Sequence, residues 1–252
     1  MAADERRALR EFKVDLHIHT CLSPCGDWEM SPRDIVRRSR EARLDLIAVC
    51  DHNSSENAGA AMREGQRTGV TVLPGMEVCS REEVHVLALF DALDRALAMQ
   101  AFVYDGLSGE NQPELFGYQV VANEDNEVLG ENPRLLIGAT THSLGEIVGR
   151  THALGGLSIS CHVDRPANGI INQLGFIPPD LGLDAVEVSY RIPLAQARER
   201  CPLIGALPCI TSSDAHFLKD IGRAATVLRM AAPSLSEIGR ALRAELGRGV
   251  MA

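Results

Sequence analysis

Short β-rich runs alternate with helical patterns along most of the chain, and the runs repeatedly end in histidine. A helix between successive strands lets those strands lie parallel, so the alternation favours an α/β fold. KVDLHI precedes a helical pattern at SPRDIVRRSREAR, with Ser31 as N-cap, Pro32 in the first turn and Asp34 at the positive helix end. LDLIAVC reads as a buried strand, the segment after Ser55 as a helix ending near Gly69, and VTVLPGMEV and VHVLALF as further β-rich runs. A helical segment from Asp91 to about Tyr104 follows. Residues 105–135 break the rhythm: they are polar and turn-rich, with a small hairpin through QVVANEDNEVLG, and read as an excursion on one rim. A helix from Ser143, with Glu146 in capping-box register, leads into the strand LSISC. DAVEVS, PCITSS and ATVLRM add strands, and PSLSEIGRALRAEL is an amphipathic helix capped by Ser234 with Glu237 three residues on. About seven or eight β/α units predict a barrel, and no GxGxxG or Walker A loop recommends an open doubly wound sheet. With no linker, charge block or repeat to divide it, the chain is expected to form one domain over residues 1–252, with a rim insertion at about 105–135.

Composition narrows the partners. No apolar run approaches the roughly 20 residues of a membrane span, and MAADERRALREFKV lacks a signal peptide's apolar stretch, so the expected location is cytoplasmic, with no membrane partner. The formal charge of −9 gives no global attraction for nucleic acid, so a phosphate-bearing ligand needs a local positive centre, which a bound cation would supply. Seven irregularly spaced cysteines do not form a disulfide framework, and Cys21 and Cys25 have no second such pair to build a metal cage, so the thiols read as reduced and buried or idle.

Six of the eight histidines sit at or near the ends of the β-rich runs: His17, His19, His52, His85, His162 and His216. His142 and His152 lie at a helix start and within a helix, and read as structural or exposed. In VDLHIHT, His17 and His19 share one strand face, a poor arrangement for a core and a good one for a shared cation. A β/α barrel gathers the C-terminal strand ends on one face, so distant residues can meet there. Six imidazoles with Glu77, Asp214 and one further carboxylate are too many ligands for one tetrahedral ion and suit a cluster of two or three, of zinc, manganese or iron.

The ordered set DLHIHT, CDHN, GMEV with HVL, SCHVDRP and SSDAH, spanning about residues 13 to 219, resembles the PHP family, named for polymerase and histidinol phosphatase. The resemblance implies a distorted (β/α)7 TIM-like barrel that hydrolyses phosphoesters at a trinuclear metal site. It implies that His17, His19, Glu77 and Asp214 hold one ion, that Glu77 bridges to a second held by His85 and His162, and that His52 and His216 bind a third. The family usually adds a histidine or aspartate to that third ion soon after HxH, and Asp27 takes this part here. The usual serine followed directly by aspartate-glycine is replaced by SPCGDWEM, which sets Asp27 later. Asp51 is expected to support His52 by hydrogen bonding or to satisfy local backbone groups rather than to bind metal.

Clustered divalent ions predict attack by a metal-held hydroxide on a phosphomonoester or phosphodiester, and no GxSxG or CxxxxxR signature offers a covalent route. Arg165, three positions after His162, is the candidate phosphate clamp, with a loop-anchoring ion pair as the alternative. Glu187 reads as an interior or supporting carboxylate. An amidohydrolase would commonly bridge its metals with a mid-barrel carboxylated lysine, but the only lysines, Lys13 and Lys219, lie before the first motif and after the last. Sparse aromatics and the lack of a basic stripe favour a small phosphorylated metabolite or nucleotide as substrate. Exonuclease action on short oligonucleotides and a non-catalytic metal-binding regulatory module are the alternatives.

Overall fold

The computed structural model describes residues 8–251, so the first half of the N-terminal stretch used in the signal-peptide argument lies outside the described residues. The elements are β1 Arg10–Ile18, α1 Pro32–Glu41, β2 Leu46–Val49, α2 Ala58–Thr68, β3 Thr71–Cys79, β4 His85–Leu89, α3 Leu93–Gly106, α4 Pro113–Phe116, β5 Val120–Ala122, β6 Val128–Glu131, α5 Leu144–Ala153, β7 Leu157–Ser160, α6 Ile170–Leu174, β8 Ala185–Val188, α7 Ala197–Arg200, β9 Cys209–Thr211, β10 Thr226–Met230, α8 Leu235–Leu242 and β11 Gly249–Met251.

Nine strands form one sheet in the order β11-β10-β1-β2-β3-β4-β7-β8-β9. Its two sides approach each other where Ile18 bridges Ala215 in parallel fashion and the Thr226 hydroxyl donates to the carbonyl of Thr211 at 2.7 Å. The result is a nearly closed, distorted TIM-like barrel of the α/β class. It is not a pure β/α repeat: β4 runs antiparallel to both β3 and β7, and β10 runs antiparallel to β1 and β11. The link from β3 to β4 is too short for a crossover helix, which explains the reversal. β11 is a strand the sequence reading did not include.

Alternation along the strands sorts the apolar residues into two sets. Val14, Leu16, Leu46, Ala48, Leu87, Ile159 and Ile210 pack together inside, joined from below by Leu235, Ile238 and Leu242 of α8. The opposite faces pack against the surrounding helices, as Ile47 and Val49 do with Ile35 and Val36 of α1. The helix signals were read correctly in detail. Ser31 accepts from the Asp34 amide, Gly69 ends α2 with φ +82°, and Ser143 and Glu146 form a full capping box.

The excursion at 105–135 contains α4 and the β5–β6 hairpin. Buried Asn57 fastens it, accepting from the Ala122 amide at 3.0 Å and donating to the Val120 carbonyl at 3.0 Å. The Val120 amide also donates to the carbonyl of Cys21, so the hairpin lies against the loop that follows β1. Exposed Trp28 and Tyr118 meet across that junction with ring centroids 4.9 Å apart.

At the far end of the chain, buried Glu237 of α8 accepts from Arg248 at 2.7 Å, from Arg240 at 3.0 Å and from the Ala231 amide at 2.7 Å. Burial opposes its ionisation, but these donors outweigh burial and hold its pKa below the ordinary carboxylate value. A depressed carboxylate pKa adds stability above the unfolded-state value that is lost as the pH falls through the folded one. Glu237→Gln is therefore expected to lose about 1.5–3 kcal/mol near neutral pH. Urea melts of both proteins should show the gap narrowing as the pH drops below the usual carboxylate range.

Candidate metal centre

Strand ends deliver the site residues to one mouth of the barrel. A register irregularity between Asp15 and Ile18 breaks the alternation of β1, so Leu16 stays in the inner core while His17 and His19 both turn into the mouth. Glu77 lies near the end of β3, and because β4 runs back antiparallel from Cys79↔His85, the first residue of β4 joins the same mouth. His52, His162 and the pair Asp214 and His216 follow β2, β7 and β9.

Glu77 is the centre. Its Oε1 lies 2.8 Å from His85 Nδ1, 3.1 Å from His162 Nε2 and 3.4 Å from His17 Nε2. Its Oε2 lies 3.0 Å from His52 Nδ1 and 3.4 Å from His19 Nε2. Asp214 Oδ1 approaches His17 Nε2 at 3.4 Å, His19 Nε2 at 3.3 Å and His216 Nδ1 at 3.7 Å. His17 Nε2 and His19 Nε2 are 3.1 Å apart.

The outward nitrogens of the first two rings are tied down. His17 Nδ1 pairs with Glu187 Oε1 at 3.1 Å. His19 Nδ1 meets Ser23 Oγ at 2.9 Å, and that hydroxyl donates to Asp51 Oδ1 at 2.7 Å. With Nδ1 as donor, each ring keeps its Nε2 lone pair for the centre. Asp51 therefore supports His19 through Ser23, where His52 was expected to be its client; it also accepts from the Thr20 amide and hydroxyl. Glu187 takes the supporting part foreseen for it.

Protonation follows from this crowding. Burial opposes charging His17, but Glu187, Asp214 and Glu77 outweigh it and raise its pKa well above the usual imidazole value. Burial together with His216 and His52 pushes His19 well below that value. Burial opposes ionising Glu77, yet His85 and His17 hold its pKa well below normal.

Four groups of three donors each lie within 4.8 Å: His17, His19 and Glu77; His52, Glu77 and His85; Glu77, Cys161 and His162; and His19, His52 and His216. Opposed imidazole lone pairs and a shared buried carboxylate are the donor chemistry of a divalent cation cluster, so these residues fit such ions. Seven of the nine residues expected to bind metal fall in these groups, and Asp214 joins them at the same mouth through its contacts with His17 and His19. Among the described residues, Asp27 is in none of the four groups and, unlike Asp214, has no ion pair with the cluster's histidines: its Oδ1 accepts from the Glu29 amide at 2.9 Å.

Two of the cysteines read as buried or idle lie at the site. Cys161 is beside Glu77, and burial with that carboxylate drives its thiol well above the usual range. Cys25 contacts His216 and His52; burial opposes its ionisation, but those imidazoles prevail and bring it down to about 6. Its place directly after Ser-Pro, before the displaced Asp27, was the available signal.

Arg165 Nη1 is 2.6 Å from Asp214 Oδ2, and the side chain is half-buried. Asp164 accepts instead from the amide and hydroxyl of Ser189. His142 bonds the Phe102 carbonyl and His152 pairs with Asp184, outside the cluster as expected. Neither lysine takes part: Lys13 donates to Ala42 and Lys219 lies over Phe217.

A TIM-like α/β barrel with this histidine and carboxylate mouth defines a PHP-type fold. The PHP domain model matches residues 15–153, more than half of the chain, and a PHP-associated model matches residues 206–245. The chain belongs to the PHP domain family. It is 32% identical over 80 residues to the 5'-3' exoribonuclease Rnm of Salmonella typhimurium, a match covering 30% of this chain and 26% of that protein. Among solved structures, the lesion-specific endonuclease EndoQ of Pyrococcus furiosus superposes with a TM-score of 0.72 at 17% identity, over 96% of this chain and 58% of that one. A proposed metal-dependent phosphoesterase from Bifidobacterium adolescentis gives a TM-score of 0.56 at 20% identity, over 81% of this chain and 87% of that one. No helix among the described residues is long and apolar enough to cross a membrane.

Ser23→Ala should leave the His19 Nδ1 donor and the His52 amide without their acceptor in a buried site, while both Asp51 oxygens keep the Thr20 donors. Chemical denaturation is expected to register a loss of about 1–3 kcal/mol with an unchanged circular dichroism spectrum.

Proposed function

We propose that the chain is a metal-dependent hydrolase of phosphate esters, acting on a nucleotide or on the end of a short oligonucleotide. The observation that carries this reading is Glu77, whose two oxygens are divided between three imidazoles on one side and two on the other. That division suits one carboxylate bridging two cations. His17, His19, His52, Glu77, His85, His162, Asp214 and His216 would hold two or three divalent ions, of zinc, manganese or iron. Such ions would supply Lewis-acid chemistry, neutralising the phosphate and activating water.

The protein groups do the rest. An inner cavity of about 280 Å³, bounded by His52, His85, His162, Asn168 and Arg165, takes the phosphate. Arg165 also borders an outer cavity of about 540 Å³, where Tyr190, Arg191, Phe217 and Arg223 offer ring faces and cationic donors to the organic part of the substrate. Its remaining N–H groups grip a non-bridging oxygen while Asp214 fixes the guanidinium plane. Residues 1–252 act as one domain, and the excursion at 105–135, joined to the loop after β1, shapes specificity at the rim. The likeness to an exoribonuclease favours trimming of short oligonucleotides over a sugar phosphate, although the chain spans about a quarter of that relative's length.

Phosphate or nucleotide release from a panel of nucleotides, sugar phosphates, histidinol phosphate and short oligonucleotides tests the proposal. Activity should vanish on chelation and return with Mn²⁺ or Zn²⁺. His17→Ala and Glu77→Gln should each lower kcat/KM by at least the roughly 10–100-fold that loss of an outer partner costs a metal site. Retained metal without turnover on any substrate would instead indicate a metal-binding regulatory module.

A further inference from the structure

The chain has one tryptophan and three tyrosines, and three of these four rings, Trp28, Tyr118 and Tyr190, stand exposed. Rings of this kind usually find burial or a partner, because each offers a large apolar face. Trp28 is 62% exposed and Tyr118 47%, yet their centroids lie only 4.9 Å apart. The planes are tilted by 49°, so neither ring covers the face of the other.

Two joints set this pair beside the mouth. The Asp27 amide donates to the His216 carbonyl at 2.9 Å, and Trp28 is one Cα step of about 3.8 Å further on. Cys25, on the same loop, borders the outer cavity with His216 and Phe217. On the other flank of the loop, Gly117 has φ +101° and lies so close to the Pro24 carbonyl that a Cβ would collide with it. Tyr118 follows directly, so this close approach carries its ring to Trp28. Residues 24–28 alone thus separate the ring pair from the outer cavity. The charges are distributed differently from the rings: Arg165, Arg191 and Arg223 line the outer cavity, whereas the chain neighbours of Trp28 are Asp27 and Glu29. A ligand that reaches the pair gains by stacking rather than by ion pairing, and every nucleobase has a face that can stack.

We infer that Trp28 and Tyr118 form a stacking platform for the base next to the terminal nucleotide of a short single-stranded oligonucleotide whose terminal phosphate lies in the inner cavity. The inference rests on the proposed phosphate-ester hydrolase. It gives the excursion at 105–135 a defined part in specificity, which is to position Tyr118. A mononucleotide leaves the platform empty.

Trp28 is the only tryptophan, so its fluorescence reports on the platform directly. Metal-loaded full-length protein is titrated with a uridine trinucleotide carrying phosphorothioate at every phosphate, with the same trinucleotide lacking its second base, and with the corresponding mononucleotide. Only the first should quench the emission. In hydrolysis of the unmodified substrates, Trp28→Ala and Tyr118→Ala should each raise the KM for the trinucleotide about 5- to 150-fold relative to that for the mononucleotide, with a smaller change in kcat, and Trp28→Phe should recover most of the loss. Since a ring and not a charge is removed, the dependence of that KM on salt should keep its slope. With either substrate still cleaved, quenching by all three ligands alike or by none, or variants that weaken both substrates equally, overturns the platform and leaves the hydrolase reading intact. Wild-type protein that cleaves neither substrate and binds none of the three ligands overturns both.

Discussion

Five imidazoles within 3.4 Å of one buried carboxylate is the constraint to which the rest of the molecule answers. Such a group is costly to bury unless its charges are compensated, because desolvation disfavours every ionised member and the rings repel one another when protonated. The opposite shifts at His17 and His19 express this conflict: neighbouring rings on one strand are pushed in different directions by the carboxylates and cations each one faces. A cation cluster would resolve the conflict by giving the inward lone pairs a common partner. The hydrogen bonds from the outward nitrogens to Glu187 and Ser23 then matter as much as the ligands, since they decide which nitrogen is left for the centre.

The backbone is bent to the same end. His162, Asp214 and Asn53 adopt φ values of +28°, +49° and +52°, in the region non-glycine residues avoid at a cost of about 1–3 kcal/mol each. All three follow strand ends at the mouth. Asn53 is held by bonds to the Leu136 and Gly138 carbonyls, and its own Oδ1 accepts from the Cys79 amide, so the turn after β2 is locked to β3. Asp15 serves the turn before Asp214 by accepting from the Ser213 amide at 2.9 Å. Burial raises the pKa of Asp15 to about 6, so this support also carries a desolvation cost. Apolar packing around α8 at the other end of the barrel provides the stability that such a mouth consumes.

Much of this was legible from residue order alone. Caps and periodicity located α1, α2, α5 and α8 because those signals are local, and the histidines were visible because they recur at strand ends. The antiparallel course of β4 was missed although its five-residue link from β3 is too short for a parallel crossover; both runs are buried, and buried runs carry no sign of direction. For Asp51 the adjacent His52 and local backbone were the partners in view, while its link to His19 passes through Ser23, 28 residues away, where sequence proximity gives no sign of it. Cys25 was discounted for want of a second cysteine pair. Its partners are histidines from two other strand ends, a relation that only closure of the barrel creates.

Closure also changes what the net charge means. The value of −9 describes the whole surface, yet charges beyond the roughly 8 Å Debye length at physiological salt are largely screened. What an arriving phosphate meets is Arg165, Arg191 and Arg223 around the outer cavity. Two of these are already engaged, Arg165 with Asp214 and Arg223 with Asp220 at 3.4 Å. Under the proposed function a substrate must compete with those carboxylates for the guanidinium donors, and a dianionic terminal phosphate competes better than a singly charged internal diester. On that reading a long polyanion would gain little from the acidic remainder of the surface, so an arrangement suited to one phosphate would disfavour the tracking of an extended strand.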